Sequence, residues 1–434
     1  MKKLFAVLLS LTLMLGAFGL AMAEGEIVIT IPHFKSGENV GARFFLPQVE
    51  RFNQQYAGKY KVVIEELTQD IYGEKMQQLA IQNQLPPLIE GGPAEWLADV
   101  VVPNELFLDL TDFLKEYPEV DEQIPDFQRQ YNTTADGKFV SVSYNVVRPI
   151  GMYYNTAMVS LAKEPGDYAN WDEFLKDFGD NKFALMTGEN AWTSALVLSA
   201  MIAQEGGADL LRAHATVDNL LGDYTDPAIV NAIARFKAFY DAHASSNAVG
   251  AVYADAANNF MSKGSAAIAN GSWMVSDFLA GAEGKWSNDF DGATVKGAVF
   301  PGNVAVSNLT GSYSWWIPKT ASAEQQEAAK AFLGFMLSKA EIEAYCLAEG
   351  GNPITWSLSD EVLAEMAEAN PLMSSYVGAT SGETVYVPNI LDVMPSSVAN
   401  TGFGTLLPLL LDGTYTPEQF CQQLSQMATD ALHD

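Results

Sequence analysis

The chain has 434 residues and carries 53 Asp and Glu against 24 Lys and Arg, a formal net charge of −29. That balance repels nucleic acid and anionic membrane surfaces, and the basic residues are scattered rather than clustered, so neither is expected as a partner. Cys346 and Cys421 are too few for a disulfide framework, though in an exported protein they could pair, and their spacing makes no zinc site.

Lys2 and Lys3 precede an apolar run over residues 4–15, and Ala21-Met22-Ala23 has the small-x-small form of a cleavage site. The run is short and Gly16 breaks it, so residues 1–23 are expected to be a removed signal peptide rather than an anchor. No other stretch is long and apolar enough to span a bilayer. The remaining length is enough for two lobes with separate cores.

Residues 27–31 (IVITI) read as a buried strand ending at Pro32, followed by His33, Phe34 and Lys35, then Glu38 and Asn39. Phe45, Val49, Phe52 and Tyr56 recur at helical spacing, with the helix expected to start or kink at Pro47. A second strand spans 60–67, a helix carries Tyr72, Met76, Leu79 and Ala80, and Leu88-Ile89 forms a short strand closed by Gly91-Gly92. Strand, helix, strand, helix, strand is the start of a parallel doubly wound sheet. Residues 139–144 (FVSVSY) alternate, and GMYYN comes next at 151–155. Trp171 opens a helix, residues 183–186 form a strand, and Trp192 opens an apolar helix. Thr225 or Asp226 caps a helix with Pro227 at its first position and a stripe of Ile229, Ile233, Phe236 and Tyr240.

The most informative stretch is 260–278 (FMSKGSAAIANGSWMVSDF). Ala266 to Ala269 read as a short buried strand, Asn270-Gly271 break it, Ser272 can cap the next helix, and Trp273 opens that amphipathic run. A Trp just outside the carboxyl end of a strand is placed where open α/β sheets collect ligands. Further on, residues 295–300 form a strand, 310–318 (TGSYSWWIP) cross between lobes, and Ser322 with Gln325 makes a capping box. Trp315 and Trp316 must face opposite ways, one toward core and the other toward cleft or surface. Thr416, Pro417 and Gln419 open a last helix.

These segments together resemble the extracellular solute-binding proteins of ABC importers, the larger, maltose-binding-protein-like class. Phe260, residues 264–267 and residues 271–273 match an F…GKAAM…GSW signature, and GMYYN matches an aliphatic-Tyr-Tyr-Asn signature. Residues 171–175 (WDEFL) are similar to a helix start in which the Trp is structural, and 350–353 (GGNP) to a glycine–proline turn. Pro86-Pro87 stands where the family has Pro-Asp, Ser143-Tyr144 where it has Pro-Tyr, and no lipoprotein cysteine lies near the cleavage site. The resemblance implies a two-lobed, periplasmic-binding-protein-like (type II) α/β fold with the ligand cleft between the lobes. Lobe one is expected at 24–143 and 265–308, lobe two at 144–264 and 309–434. It further implies a monomer, periplasmic or extracellular, that closes on a sugar or oligosaccharide and delivers it to membrane permease subunits, with no cofactor, no metal and no catalysis.

A sugar has apolar ring faces and a rim of hydroxyls, so its site needs aromatic plates with polar groups between them. The aromatic candidates at expected strand ends are Phe34, Trp96, Tyr144, Trp192, Trp273, Tyr313 and Trp315. The polar candidates are His33, Glu38, Asn39, Glu90, Asn145, Arg148 and Asn352. Core packing is the ordinary alternative for each aromatic, and a solvated surface for each polar group. Trp273 from one lobe and Trp192 or Trp315 from the other would sandwich the ligand. An aromatic box with acids also suits ammonium groups, so a polyamine or other cationic solute is the alternative ligand. A secreted polysaccharide-active enzyme is the alternative class. Against it, no two acids fall together on strand ends, and His33, His214, His243 and His433 lie in no nucleophile or metal pattern. Residues 288–292 (NDFDG) lack the later ligands of a calcium loop and read as a solvated turn.

Overall fold

The computed structural model describes residues 25–37, 41–216, 219–279, 281–307 and 312–433. The expected signal peptide, residues 1–23, lies outside them, as do Glu38 and Asn39. Strand β1 (Ile27–His33) buries Ile29 and Ile31 and runs parallel to β2 (Tyr60–Glu66), with Ile27 opposite Tyr60 and His33 opposite Glu66. The helix between them, Ala42–Gln55, buries Phe45, Val49 and Phe52 at the expected spacing. It begins at Ala42, ahead of Pro47. The proline costs one bond early in the helix, and buried Phe44, Phe45 and Phe52 hold the segment in place.

Strand β3 (Ile89–Glu90) does not extend the parallel pair as expected. It runs antiparallel to β10 (Trp315–Trp316), with Trp315 opposite Glu90. The two indoles do face opposite ways, but both are 0% exposed. Trp315 packs with Phe45 and His33, whereas Trp316 packs with Trp96, so each side of the strand is covered.

A second, six-stranded sheet is built on β5 (Ile150–Asn155). Its path is β12 (Val385–Val387), β9 (Val304–Val306), β5, β7 (Ala267–Gly271) and β6 (Phe183–Ala184), with β8 (Val295–Ala298) also on β5. Met152 and Tyr154 face one core cluster and Tyr153 the other, so the sheet is covered on both sides and the strand reads as continuously apolar. The apolar helix Trp192–Gly206 and the helix Pro227–His243, capped by Asp226, lie in the first of these clusters.

The strand pairing departs from the division expected along the chain. Residues 265–308, expected beside β1, supply β7, β8 and β9, all of which pair with β5. In turn β10 pairs with β3, and the helix Ala323–Met336, opened by the Ser322–Gln325 capping box, packs on β1. A strand's apolar pattern and terminal turn mark where it begins and stops, but not which sheet receives it. The half carrying β1 and the half carrying β5 are joined by connections that include β4 (Val146–Val147) and β11 (Asn352–Pro353), paired antiparallel, Asn352 opposite Val147.

The Tyr376 hydroxyl enters the β5–β7 ladder. It accepts from Gly151 N–H at 2.7 Å and donates to the Asn270 carbonyl at 2.7 Å, where Gly151 and Asn270 oppose each other. Replacing Tyr376 by Phe leaves both buried backbone groups unpaired. Urea unfolding should then show a loss of about 1–3 kcal/mol per orphaned group, and an unchanged midpoint would contradict this role. Cys346 and Cys421 are both free and 0% exposed, and burial pushes each thiol up to about 12. A thiol reagent at neutral pH should find neither in the native protein and both after denaturation without reductant. Failure to recover both would reveal a disulfide.

Candidate functional site

The turn after β7 folds back on itself. A Cβ at Gly271 would lie 2.3 Å from ring carbons of Trp273, so the glycine lets the indole close over the strand end. Residues Ser272–Phe278 form a 3-10 helix, and Ser272 does not cap it as expected. Its hydroxyl donates instead to the carbonyl of Glu349, on the helix Lys339–Glu349 that packs against Ala42–Gln55. Arg43, from Ala42–Gln55, donates Nη2 to the Trp273 carbonyl at 3.2 Å and Nε to Glu349 Oε1 at 3.1 Å. The Trp273 turn belongs to the half carrying β5, yet it is pinned by two helices of the half carrying β1.

Trp273 stands beside Trp192, 5.7 Å between ring centroids at 45°, and Trp192 stands 6.5 Å from Tyr253 at 54°. Asn270 Nδ2 donates to the Tyr253 hydroxyl at 3.0 Å. The loop before Trp192 is held by close backbone packing: a Cβ on Gly404 would come 1.7 Å from the Glu189 carbonyl oxygen. The three aromatics form a corner on one half. A sugar ring between two plates needs about 7–8 Å, two contact distances of 3.5–4.0 Å. The expected sandwich of Trp273 with Trp192 is therefore not the geometry, and Trp315 lies inside the other half's core.

From this corner a row of cations and rings crosses to the other half. The Arg148 guanidinium lies 5.1 Å from the Trp273 centroid and 5.6 Å from that of Tyr345. Tyr345 stacks on Tyr144 at 4.8 Å and 11°, and the Tyr144 hydroxyl donates to Gln48 Oε1 at 2.9 Å. Lys35 Nζ comes 5.9 Å from the Tyr144 centroid and 5.7 Å from that of Phe34.

The row ends where β1 and β3 end. Lys35 Nζ donates to Glu90 Oε1 at 2.7 Å. Buried His33 accepts the Lys35 backbone N–H on Nδ1 at 2.9 Å, which leaves its proton on Nε2, 2.9 Å from Glu90 Oε2. Burial pushes the His33 imidazolium down against the pull of Glu90. Burial alone would raise the Glu90 carboxyl, but the Lys35 ammonium and His33 outweigh it and hold it down to about 2. A neutral imidazole, a carboxylate and an ammonium leave this end with no net charge.

The remaining candidates lie in two other places, Trp96 and Tyr313 in one hydrophobic cluster and Asn145 and Asn352 at the crossing of β4 and β11. Trp96 is 9% exposed and packs beneath Gly92 against Trp316, and Tyr313 packs beside Tyr131 at 4.8 Å. Asn145 sits at φ 51°, its amide engaged with Ser143, and shapes the crossing rather than facing solvent. Asn352 lies in β11. Lys35, Arg43, Tyr253, Tyr345 and Glu349 were not candidates from sequence. Lys35 directly follows two that were, but Tyr345 and Glu349 sit on a helix with no local mark of a cleft. A second link between the halves joins Glu95 to Ser396, whose backbone N–H and hydroxyl both donate to that carboxylate. Among the described residues no group of three His, Cys, Asp or Glu is placed to hold a metal ion, and no helix is long and apolar enough to cross a membrane.

The sequence matches the family model described as bacterial extracellular solute-binding protein over residues 48–374. No curated protein matches it in sequence. Among solved structures, a chitin oligosaccharide binding protein is similar at a TM-score of 0.73 and 19% identity, covering 94% of this chain and 100% of that one. A Streptococcus pneumoniae solute-binding protein in complex with the blood group A-trisaccharide gives 0.70 and 18%, covering 93% and 100%. A cyclic alpha-maltosyl-1,6-maltose binding protein from Arthrobacter globiformis gives 0.63 and 18%, covering 94% and 99%. These likenesses show the two-lobed fold expected from sequence, with its mixed sheets and helices. The family match spans well over half of the chain, and the protein belongs to the bacterial extracellular solute-binding proteins.

Proposed function

We propose that this protein is exported with loss of residues 1–23, works as a monomer outside the cytoplasm, and captures a sugar or oligosaccharide for the permease subunits of an ABC importer. The observation that carries the reading is the aromatic corner of Trp192, Tyr253 and Trp273, facing a row of polar groups whose charges are largely spent on one another. Aromatic faces suit the apolar side of a sugar ring, and the polar row suits its hydroxyls. The similar structures with a chitin oligosaccharide, a blood-group trisaccharide and a maltosyl-maltose in their names support the same class of solute.

One lobe would comprise residues 25–143 with 312–349, and the other 146–307 with 354–433, from the strand pairing. Closure would then bend the connections around β4 and β11 and bring the Trp273 corner toward Lys35. A solute touching both lobes favours the closed form by its extra contacts there, and the closed form docks on the permease.

The polyamine alternative is disfavoured by one contact. The seat a ligand ammonium would take over Trp273 is already filled by Arg148, which repels a second cation. For the enzyme alternative, the row's own acids are unsuited: Glu90 is held near 2 by Lys35 and His33, far below the range a general acid needs. Glu349 in turn is engaged with Arg43.

A thermal-shift screen should show saccharides raising the melting temperature while polyamines leave it unchanged. Stabilisation by polyamines alone would reverse the assignment. In calorimetry, Trp273→Ala should weaken saccharide binding at least about tenfold, or 1.4 kcal/mol, with little change in urea stability. Unchanged affinity would remove Trp273 from the site.

A further inference from the structure

Arg148 is the loosely held cation of this cleft. Lys35 has Glu90 at 2.7 Å and Arg43 has Glu349 at 3.1 Å, but Arg148 reaches the same Glu349 only at 4.0 Å. Its guanidinium makes no hydrogen bond to any described residue, and the side chain is 33% exposed. Two arginines on one carboxylate leave an unmatched positive charge at the crossing strands.

The way Arg148 is held adds direction to that charge. The rings of Trp273 and Tyr345 are cation–π partners whose centroids lie 5.1 and 5.6 Å from the guanidinium carbon, so the group is held between two aromatic side chains. With no hydrogen bond to a described residue and its carboxylate partner at 4.0 Å, the planar N–H fork is available while the neighbouring rings limit its freedom. That in-plane fork matches a carboxylate with two parallel hydrogen bonds.

From these contacts, and resting on the reading that a saccharide lies on Trp273, we infer that the solute carries a carboxylate beside its ring: a hexuronate or hexuronate-containing oligosaccharide, held by Arg148. Closure strips water from a cation whose own counter-ion is distant. A neutral hydroxyl rim leaves that charge uncompensated, whereas a carboxylate satisfies it. The chain's formal charge of −29 opposes an anion at long range, but salt screens such repulsion beyond about 8 Å while the fork acts at contact.

The test is calorimetric titration with hexuronate di- and trisaccharides and with neutral hexose counterparts of the same linkage, at low and at near-physiological salt. The acidic members should bind at least about tenfold more tightly at low salt, and their advantage should shrink as salt rises. Arg148→Gln should cut the acidic-to-neutral ratio at least about tenfold, and Arg148→Lys, which keeps the charge but not the fork, should restore only part of it. Urea unfolding of both variants checks that the crossing strands survive. Neutral saccharides binding as well as acidic ones, or a ratio unmoved by Arg148→Gln, overturns the inference and leaves saccharide capture standing. No binding by either series overturns both.

Discussion

Glu349 is the constraint on which the site depends. Its side chain is 2% exposed at the end of a helix in the half carrying β1, where an unpaired carboxylate would be costly. Arg43 satisfies it and, with a second nitrogen, grips the carbonyl of Trp273. The Glu349 backbone carbonyl takes the Ser272 hydroxyl, and Gly350, at φ 78°, is packed against Ser272 so closely that a Cβ would come 2.7 Å from the serine Cβ. Glu349 and its partner Arg43 thus tie the Ser272-Trp273 turn of one half to the helices of the other. Removing Glu349 would free two arginines beside Trp273 rather than merely delete a bond.

The row from Trp273 through Arg148, Tyr345 and Tyr144 to Lys35 depends on that tie. Arg148 lies between Trp273 and Tyr345, Tyr345 stacks on Tyr144, and Lys35 lies beyond Tyr144, so each cation of the row has aromatic rings within cation–π distance. At the Lys35 end the charges cancel locally through Glu90, with buried His33 kept neutral; at the Arg148 end they do not. The cleft is thereby asymmetric, with a Lys35 end of zero net charge and an Arg148 end in excess of positive charge, inside a strongly acidic protein. It offers stacking surface, hydrogen-bond donors and one directional charge.

Local pattern carried the elements well and their assembly poorly. The apolar runs of β1, β2 and β5, the Asp226 and Ser322 caps and the Gly271-Ser272-Trp273 turn are legible because each depends on residues a few positions apart. The partner of β7 is not, because an Ala-rich strand ending in a glycine turn fits either sheet equally. Trp315 shows the limit for single side chains. Alternation fixed its side of the strand, but that side meets His33 and Phe45 rather than solvent, which depends on chain far away in sequence. Tyr345 was invisible for the same reason, since its place opposite Arg148 comes from packing between two helices and a crossing strand.

The most direct measurement is a crystal structure grown with a saccharide that stabilises the protein in solution. The expected result is a sugar ring against Trp273, its polar rim within hydrogen-bond distance of Arg148 or Lys35, and both halves in contact with it. Saccharide bound away from this row, for example in the outer pocket lined by Asn170, Gln204 and Arg235, would contradict it.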